Sequence, residues 1–301
     1  MKAPYTPMRS FRRAALAKAG LTPVLKIIVL MELIFVLGPV VVMLMLPPKA
    51  LAIYEAGTTP IGVIAQLLTF ALYALALVYM ARRLHGRGFW SMVGPVGAVA
   101  TNLKLAGIAV GALLLAQAFM PPWIALQDLA EVRPLIPWLA WLPVTIAALV
   151  IQTGTEELYF RGYLQQQFSV ISDKPWVWMG LPSLLFGVGH YMNGYGMADG
   201  LLYVFWATLL GLACADLTAR TGNIGAAVGL HLSNNLFAFV VVGVQDWPSS
   251  GLALFLYPFE DPSQYDYALA TLLEPWVLIE LPILSLSVAV MWLAARIAIR
   301  A

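Results

Sequence analysis

The sequence predicts an all-α polytopic membrane protein of about eight transmembrane helices, with the N-terminus and the C-terminus both cytoplasmic. Three observations carry that reading. The 301 residues are 61% hydrophobic and only 11% charged, whereas soluble domains carry about 25% charged residues. Apolar runs near the ~20 residues of a spanning helix recur along the whole chain. These runs do not alternate polar with apolar positions, as the strands of a membrane β-barrel would. Lys and Arg also fall unevenly between successive connections, which sets orientation in a membrane.

The runs lie near 24–46, 60–81, 103–121, 138–160, 176–192, 200–218, 224–243 and 274–295. The first follows the basic stretch "MKAPYTPMRSFRRAALAKAG" and is read as a retained span. It is too long for the apolar part of a signal peptide and is broken by Pro47, Pro48 and Lys49. With the N-terminus inside, the inner segments hold Arg9, Arg12, Arg13, Lys18, Arg82, Arg83, Arg87, Lys174, Arg220, Arg296 and Arg300. The outer loops hold Lys49 and Arg133 against Glu55, Asp128, Glu131, Asp199, Asp246, Glu260, Asp261, Asp266 and Glu274. The whole chain, 1–301, therefore reads as one integral-membrane domain with residues 1–23 as a basic cytoplasmic tail.

Trp123, Trp138, Trp141, Trp176, Trp178, Trp247 and Trp276 fall near span ends and are expected as interfacial anchors. The longest connection, about 244–273, contains "LALFLYPF" and is expected as a packed outer loop, with a cap dipping back into the membrane over a site as the alternative. A net charge of +2 makes no case for a nucleic-acid partner, and membrane lipids are the expected surroundings. The single cysteine, Cys214, excludes a disulfide-stapled ectodomain.

Ionisable side chains inside spans are costly and point to function. They are Glu32, Glu156, Glu157, Arg161, His190, His231 and Glu280. Glu32 and Glu280 are expected to be structural, and His85, in "RRLHGRG", a solvated loop residue. In "GTEELYFRGYLQQQF", Glu157 and Arg161 are four apart in the order that favours a helical ion pair. Glu156 lies about 100° around the helix and is therefore free for chemistry. Phe186 precedes His190 by four residues in "FGVGH". His231 opens "HLSNN", with Asn235 one turn on. Just before it, Gly225 and Gly229 have the small-xxx-small spacing that lets helices approach closely.

Depth brings these groups together. Glu156 and His190 lie equally far from Asp173, the tip between the fourth and fifth spans, so straight helices raise each about 25 Å. His231 lies about 15 Å above the next turn on the same side. The levels match if "RGYLQQQF" projects from the membrane, giving a site within the bilayer that opens to the cytoplasm.

A carboxylate beside one imidazole, with a second imidazole and a carboxamide opposite, suits hydrolysis. Glu156 and His190 can take a proton from water, while His231 and Asn235 can donate to an oxyanion. No Ser or Cys clearly partners a histidine, so direct attack by water is favoured over an acyl-enzyme. Zinc held by Glu156, His190 and His231 is the chemical alternative. The metal-free reading is preferred because HExxH is absent and Asn235 is a poor zinc ligand but a good oxyanion donor. A transporter or proton relay, and a non-catalytic immunity or scaffold protein, are the other functional classes.

The motifs "EELYFR", "FGVGH" and "HLSNN" match EExxxR, FxxxH and HxxxN in that order. The stretch they occupy, about 138–243, resembles the CPBP family (CAAX proteases and bacteriocin-processing enzymes, also called Abi), relatives of the type II CAAX prenyl endopeptidase. The resemblance implies an intramembrane glutamic endopeptidase with 138–243 as its catalytic core helices. It implies Glu156 and His190 as activators of water, His231 and Asn235 as the oxyanion hole, and Glu157, Arg161 and Phe186 as support. It further implies peptide or lipidated-protein substrates. No cofactor is expected, with zinc as the alternative, and the expected location is the cell (inner) membrane. Bacterial relatives are linked to peptide maturation and self-immunity.

Overall fold

The computed structural model describes residues 3–121, 123, 126–261 and 268–300; Asp266, expected on an outer loop, lies outside them. Two short helices, α1 (Thr6–Phe11) and α2 (Arg13–Leu16), precede the long α3 (Leu21–Met45). Then come α4 (Pro48–Ala56), α5 (Pro60–Leu68), α6 (Phe70–His85), α7 (Trp90–Val93) and α8 (Val96–Phe119). Helix α9 (Leu135–Glu157) continues through a π-helical stretch, Leu158–Gln165, into α10 (Gln166–Ile171). A second π-helical stretch, Trp176–Gly180, leads into α11 (Leu181–Gly189). Helix α12 (Gly196–Thr221) is followed by α13 (Gly225–Leu236), a third π-helical stretch (Phe237–Val241), and finally α14 (Pro275–Ile299).

Six helical segments are long and apolar enough to cross a membrane: Leu21–Met45, Pro60–His85, Val96–Phe119, Leu135–Ile171, Gly196–Thr221 and Pro275–Ile299. The protein is a polytopic membrane protein. The fifth and seventh expected spans are helical but short. Residues 176–189 are split into pieces of five and nine residues, and Gly225–Val241 falls below spanning length. In lipid a backbone must satisfy its own hydrogen bonds, so these apolar runs have little choice but to be helical. Their outer faces are apolar and uncovered, as at Leu44 (82% exposed) and Ile136 (82% exposed), where acyl chains replace water.

The all-α expectation omits one feature, a small sheet in the order β1-β3-β2. Strand β1 (Glu131–Val132) pairs antiparallel with β3 (Phe255–Tyr257), and β2 (Val242–Val244) pairs with β3 in parallel. The Arg133 guanidinium donates to the Ser250 and Ala253 carbonyls at 2.8 and 3.3 Å. The described part of the 244–273 connection is thus packed against the segment before α9.

Four expectations change where the chain folds back on itself. The N-terminal segment is docked: Met8, Phe11 and Ala15 are buried, and the Tyr5 hydroxyl donates to Asp216 at 2.8 Å. Trp178 is buried rather than interfacial, because Tyr5 stacks edge-on against it at 5.7 Å. His85 is buried, not solvated: its ring contacts the Tyr163 hydroxyl at 2.9 Å and the Lys18 carbonyl at 3.1 Å. The glutamines of "LQQQF" are fully buried as well. Gln165 donates to the Ala215 carbonyl, Gln166 accepts from Arg87 at 2.6 Å, and Gln167 reaches His85. They do not form a solvated helix end.

Candidate active site

Helix α9 carries unusually many polar residues for a membrane span, and it hides them by local bonding. The hydroxyls of Thr145, Thr153 and Thr155 donate to the carbonyls of Trp141, Leu149 and Ile151, one turn back. Glu156 and Glu157 end the α-helical part, and the π-helical stretch starts at Leu158. Such stretches widen the helix and often accompany functional sites.

Glu157 is completely buried, and its Oε1 accepts from Arg161 Nη1 at 3.0 Å and from His231 Nδ1 at 2.8 Å. The intrahelical pair expected from the spacing is present, and a histidine from α13 joins it. Glu156 Oε2 accepts from Gln152 Nε2 at 2.7 Å and lies 3.4 Å from His231 Nε2. The two carboxylates therefore reach opposite nitrogens of one imidazole. Gln152 Oε1 accepts from Asn235 Nδ2 at 2.9 Å, and Asn234 Nδ2 donates to Asn235 Oδ1 at 3.1 Å. A continuous polar chain runs Arg161, Glu157, His231, Glu156, Gln152, Asn235 across α9 and α13.

His190 lies at the end of α11, half-buried, with Nδ1 2.8 Å from the Phe186 carbonyl. A carbonyl only accepts, so Nδ1 carries the hydrogen and the neutral ring has its lone pair on Nε2. Phe186 separates the cationic and imidazole groups. Its ring lies 4.4 Å from His190, 5.6 Å and edge-on to His231, and 4.8 Å beneath the Arg161 guanidinium. Among the described residues no direct hydrogen bond joins His190 to Glu156, and Asn235 bonds Gln152 rather than His231.

Gln152 is the site residue that the sequence reading missed. Its signal was available: a lone amide in an apolar run, one turn before Glu156. The charges also have a definite arithmetic. Two carboxylates, counted as charged, exceed the one guanidinium by one negative charge, and the His231 ring lies between them. Buried ions need such pairing. Glu157 Oε2 and Arg161 Nε and Nη2 are buried with no hydrogen-bond partner among the described residues, so the pair is held by a single contact.

The zinc alternative needs Glu156, His190 and His231 gathered around one point. Among the described residues no three His, Cys, Asp or Glu side chains gather closely enough to hold an ion.

All four of Glu156, His190, His231 and Asn235 lie within residues 137–237, which match the family model for type II CAAX prenyl endopeptidase Rce1-like proteins. The chain carries an Rce1-like family domain. The domain begins near the start of α9 and ends just after α13, so it contains the whole polar chain from Arg161 to Asn235. The chain is also similar to the uncharacterized protein YyaK of Bacillus subtilis (strain 168), at 35% identity over 102 residues. That match covers 32% of this chain and spans about a third of the relative, 33% of its length. No solved structure matches the chain.

Proposed function

We propose that the Rce1-like domain makes this protein an intramembrane endopeptidase that cleaves membrane-associated or lipid-modified peptides by direct attack of water. The observation that carries the reading is the convergence of Glu156, Glu157, Gln152, His231 and Asn235 in one buried hydrogen-bonded chain beside His190. Glu156 Oε2 is held from two sides, while its Oε1 takes no hydrogen bond from the described residues. Oε1 and the lone pair of His190 Nε2 are the two acceptors for the protons of a bound water. As water attacks the scissile carbonyl its proton passes to Glu156, which then protonates the departing amine.

The oxyanion needs donors that exist before the reaction. Asn235 Nδ2 gives one N–H to Gln152 and has a second on the same nitrogen. His231 Nε2 lies at a loose 3.4 Å from Glu156, so the N–H of the imidazolium form is weakly engaged and serves as the second donor, while Nδ1 donates to Glu157. Phe186 and the Glu157–Arg161 pair fix the two imidazoles. The distribution of Lys and Arg supports an orientation in the cell membrane with the N-terminus and the C-terminus cytoplasmic.

The test is cleavage of a fluorogenic membrane-anchored peptide by reconstituted protein. Glu156→Gln keeps the shape of the side chain and its contacts but cannot take the proton. Cleavage is expected to fall by about 10²-fold or more, with an unchanged melting temperature. Undiminished turnover would remove Glu156 as the base. Stoichiometric zinc in the active preparation, measured by elemental analysis, would replace the metal-free mechanism.

A further inference from the structure

Helix α12 has no part in the proposed mechanism, yet Gly211 on it meets both α11 and the π-helical stretch after α9. A Cβ at Gly211 would lie 3.0 Å from Arg161 Nη2, 3.0 Å from Ser183 Cβ and 3.1 Å from Ser183 Cα. Non-bonded heavy atoms pack at about 3.5–4.0 Å, so a larger residue fits there only if a neighbour moves. Neither neighbour is free to move. The Arg161 side chain is buried, bonded to Glu157 at 3.0 Å, and its guanidinium lies 4.8 Å from the centre of the Phe186 ring. Ser183 is fully buried, and its Cα belongs to the backbone of α11. One turn on, α11 is pressed to α12 again. A Cβ at Gly187 would run into Thr208 Oγ1 and lie 2.6 Å from the Val204 carbonyl oxygen. Helix α11 is thus held on α12 at two successive turns, and it ends at Gly189, immediately before His190.

We infer that Gly211 is a positioning residue: it seats the Arg161 guanidinium and the α11 backbone on α12, and so sets how His231 and His190 stand relative to Glu156. The catalytic consequence rests on the proposed endopeptidase activity; the seat itself does not. Two lines run from it. Arg161 holds Glu157 Oε1, which meets His231 Nδ1 at 2.8 Å, and His231 Nε2 faces Glu156 at 3.4 Å. Ser183 stands seven residues before His190, about two helical turns, so a shift of α11 at Ser183 carries His190 with it. Among the described residues no direct hydrogen bond joins His190 to Glu156, which leaves their separation to a shared support. Arg161 Nε and Nη2 are buried with no hydrogen-bond partner among the described residues, so packing on Gly211 and Phe186 fixes that end of the guanidinium. A glycine that served only to let α11 approach α12 would have Ser183 alone for a neighbour.

The test pairs cleavage with a measurement that does not depend on it. The chain has three histidines, His85, His190 and His231, so NMR of histidine-labelled protein in detergent can follow each ring. Gly211→Ala should move the His231 and His190 signals and leave that of His85 in place. In proteoliposomes it should lower kcat by about 10-fold or more with KM unchanged, because small misplacements of reacting groups slow the chemical step. Gly38→Ala is the comparison, since its Cβ would meet Tyr73 Cε1 at 2.8 Å between α3 and α6. It should lower the melting temperature while kcat and the His190 and His231 signals stay as they are. If Gly211→Ala alone does not fold, Ser183→Gly removes one of the two obstacles. The doubly substituted chain should still show a moved His231 signal and a lower kcat, because the Arg161 contact remains. Unmoved His231 and His190 signals would overturn the inference, as would an unchanged kcat or an equal loss in Gly38→Ala. Absence of cleavage by the unaltered protein would instead overturn the endopeptidase reading, and the ring signals would still decide the seat.

Discussion

The amide of Gln152 joins the two halves of the site, donating to Glu156 at 2.7 Å and accepting from Asn235 at 2.9 Å. It touches no reacting atom in the proposed mechanism, so it acts by aiming the base and one oxyanion donor together. Gln152→Ala leaves both partners without it, and misaimed groups slow a reaction more than they weaken binding. The expected result is a kcat lower by about 10- to 100-fold with KM little changed, read from steady-state cleavage in proteoliposomes. A loss confined to KM would assign Gln152 to substrate binding instead. At this scale the sequence was partly legible. The four-residue spacing of Glu157 and Arg161 foretold their contact, and the same spacing joins Gln152 to Glu156. What no local spacing could show is that His231, 74 residues further on, bridges both carboxylates.

Among the elements, α13 depends most on how closely it can approach a neighbour. A Cβ at Gly229 would lie 2.5 Å from the Leu103 carbonyl, and one at Gly225 would lie 2.3 Å from the Val99 carbonyl, both on α8. The small-xxx-small spacing thus marks a real backbone contact. Gly229→Leu must push α13 away from α8, and His231 lies only two residues further along. Overpacking of this kind costs about 1–3 kcal/mol. We expect lower stability in denaturant together with loss of cleavage, because His231 is drawn off Glu157. Gly97→Ala, where an added Cβ meets nothing within 4 Å, should behave like the unaltered chain. The π-helical stretches after Glu157 and after Leu236 were not legible. Apolar periodicity over so few residues does not separate i→i+4 from i→i+5 bonding. Helix heights counted at 1.5 Å per residue therefore do not carry over to those stretches.

For the whole molecule, hydropathy located all eight helical stretches but not which of them span. The two short ones, 176–189 and 225–241, fall below spanning length, and the first leads into His190 while the second carries His231; most of Gly225–Ser233 is buried, whereas Trp176, Leu184 and Val188 are exposed. Hydropathy also misplaced the polar end of the molecule. Arg87 is buried, donating to Gln166 at 2.6 Å, and burial lowers its guanidinium to about 10. Such groups look solvated to any local window, because what covers them comes from elsewhere in the chain. The charge pattern still makes a sharp statement about orientation. If Leu21–Met45 crosses outward and Pro60–His85 returns, then Lys49 and Arg83 lie on opposite faces. Cys214 is buried and should not react, so single cysteines can be introduced without altering it. Lys49→Cys and Glu260→Cys should be labelled by a membrane-impermeant maleimide in intact cells. Arg83→Cys and Lys174→Cys should be labelled only after permeabilisation. The reverse pattern would invert the protein, put its site on the outer side and break the agreement with the distribution of basic residues.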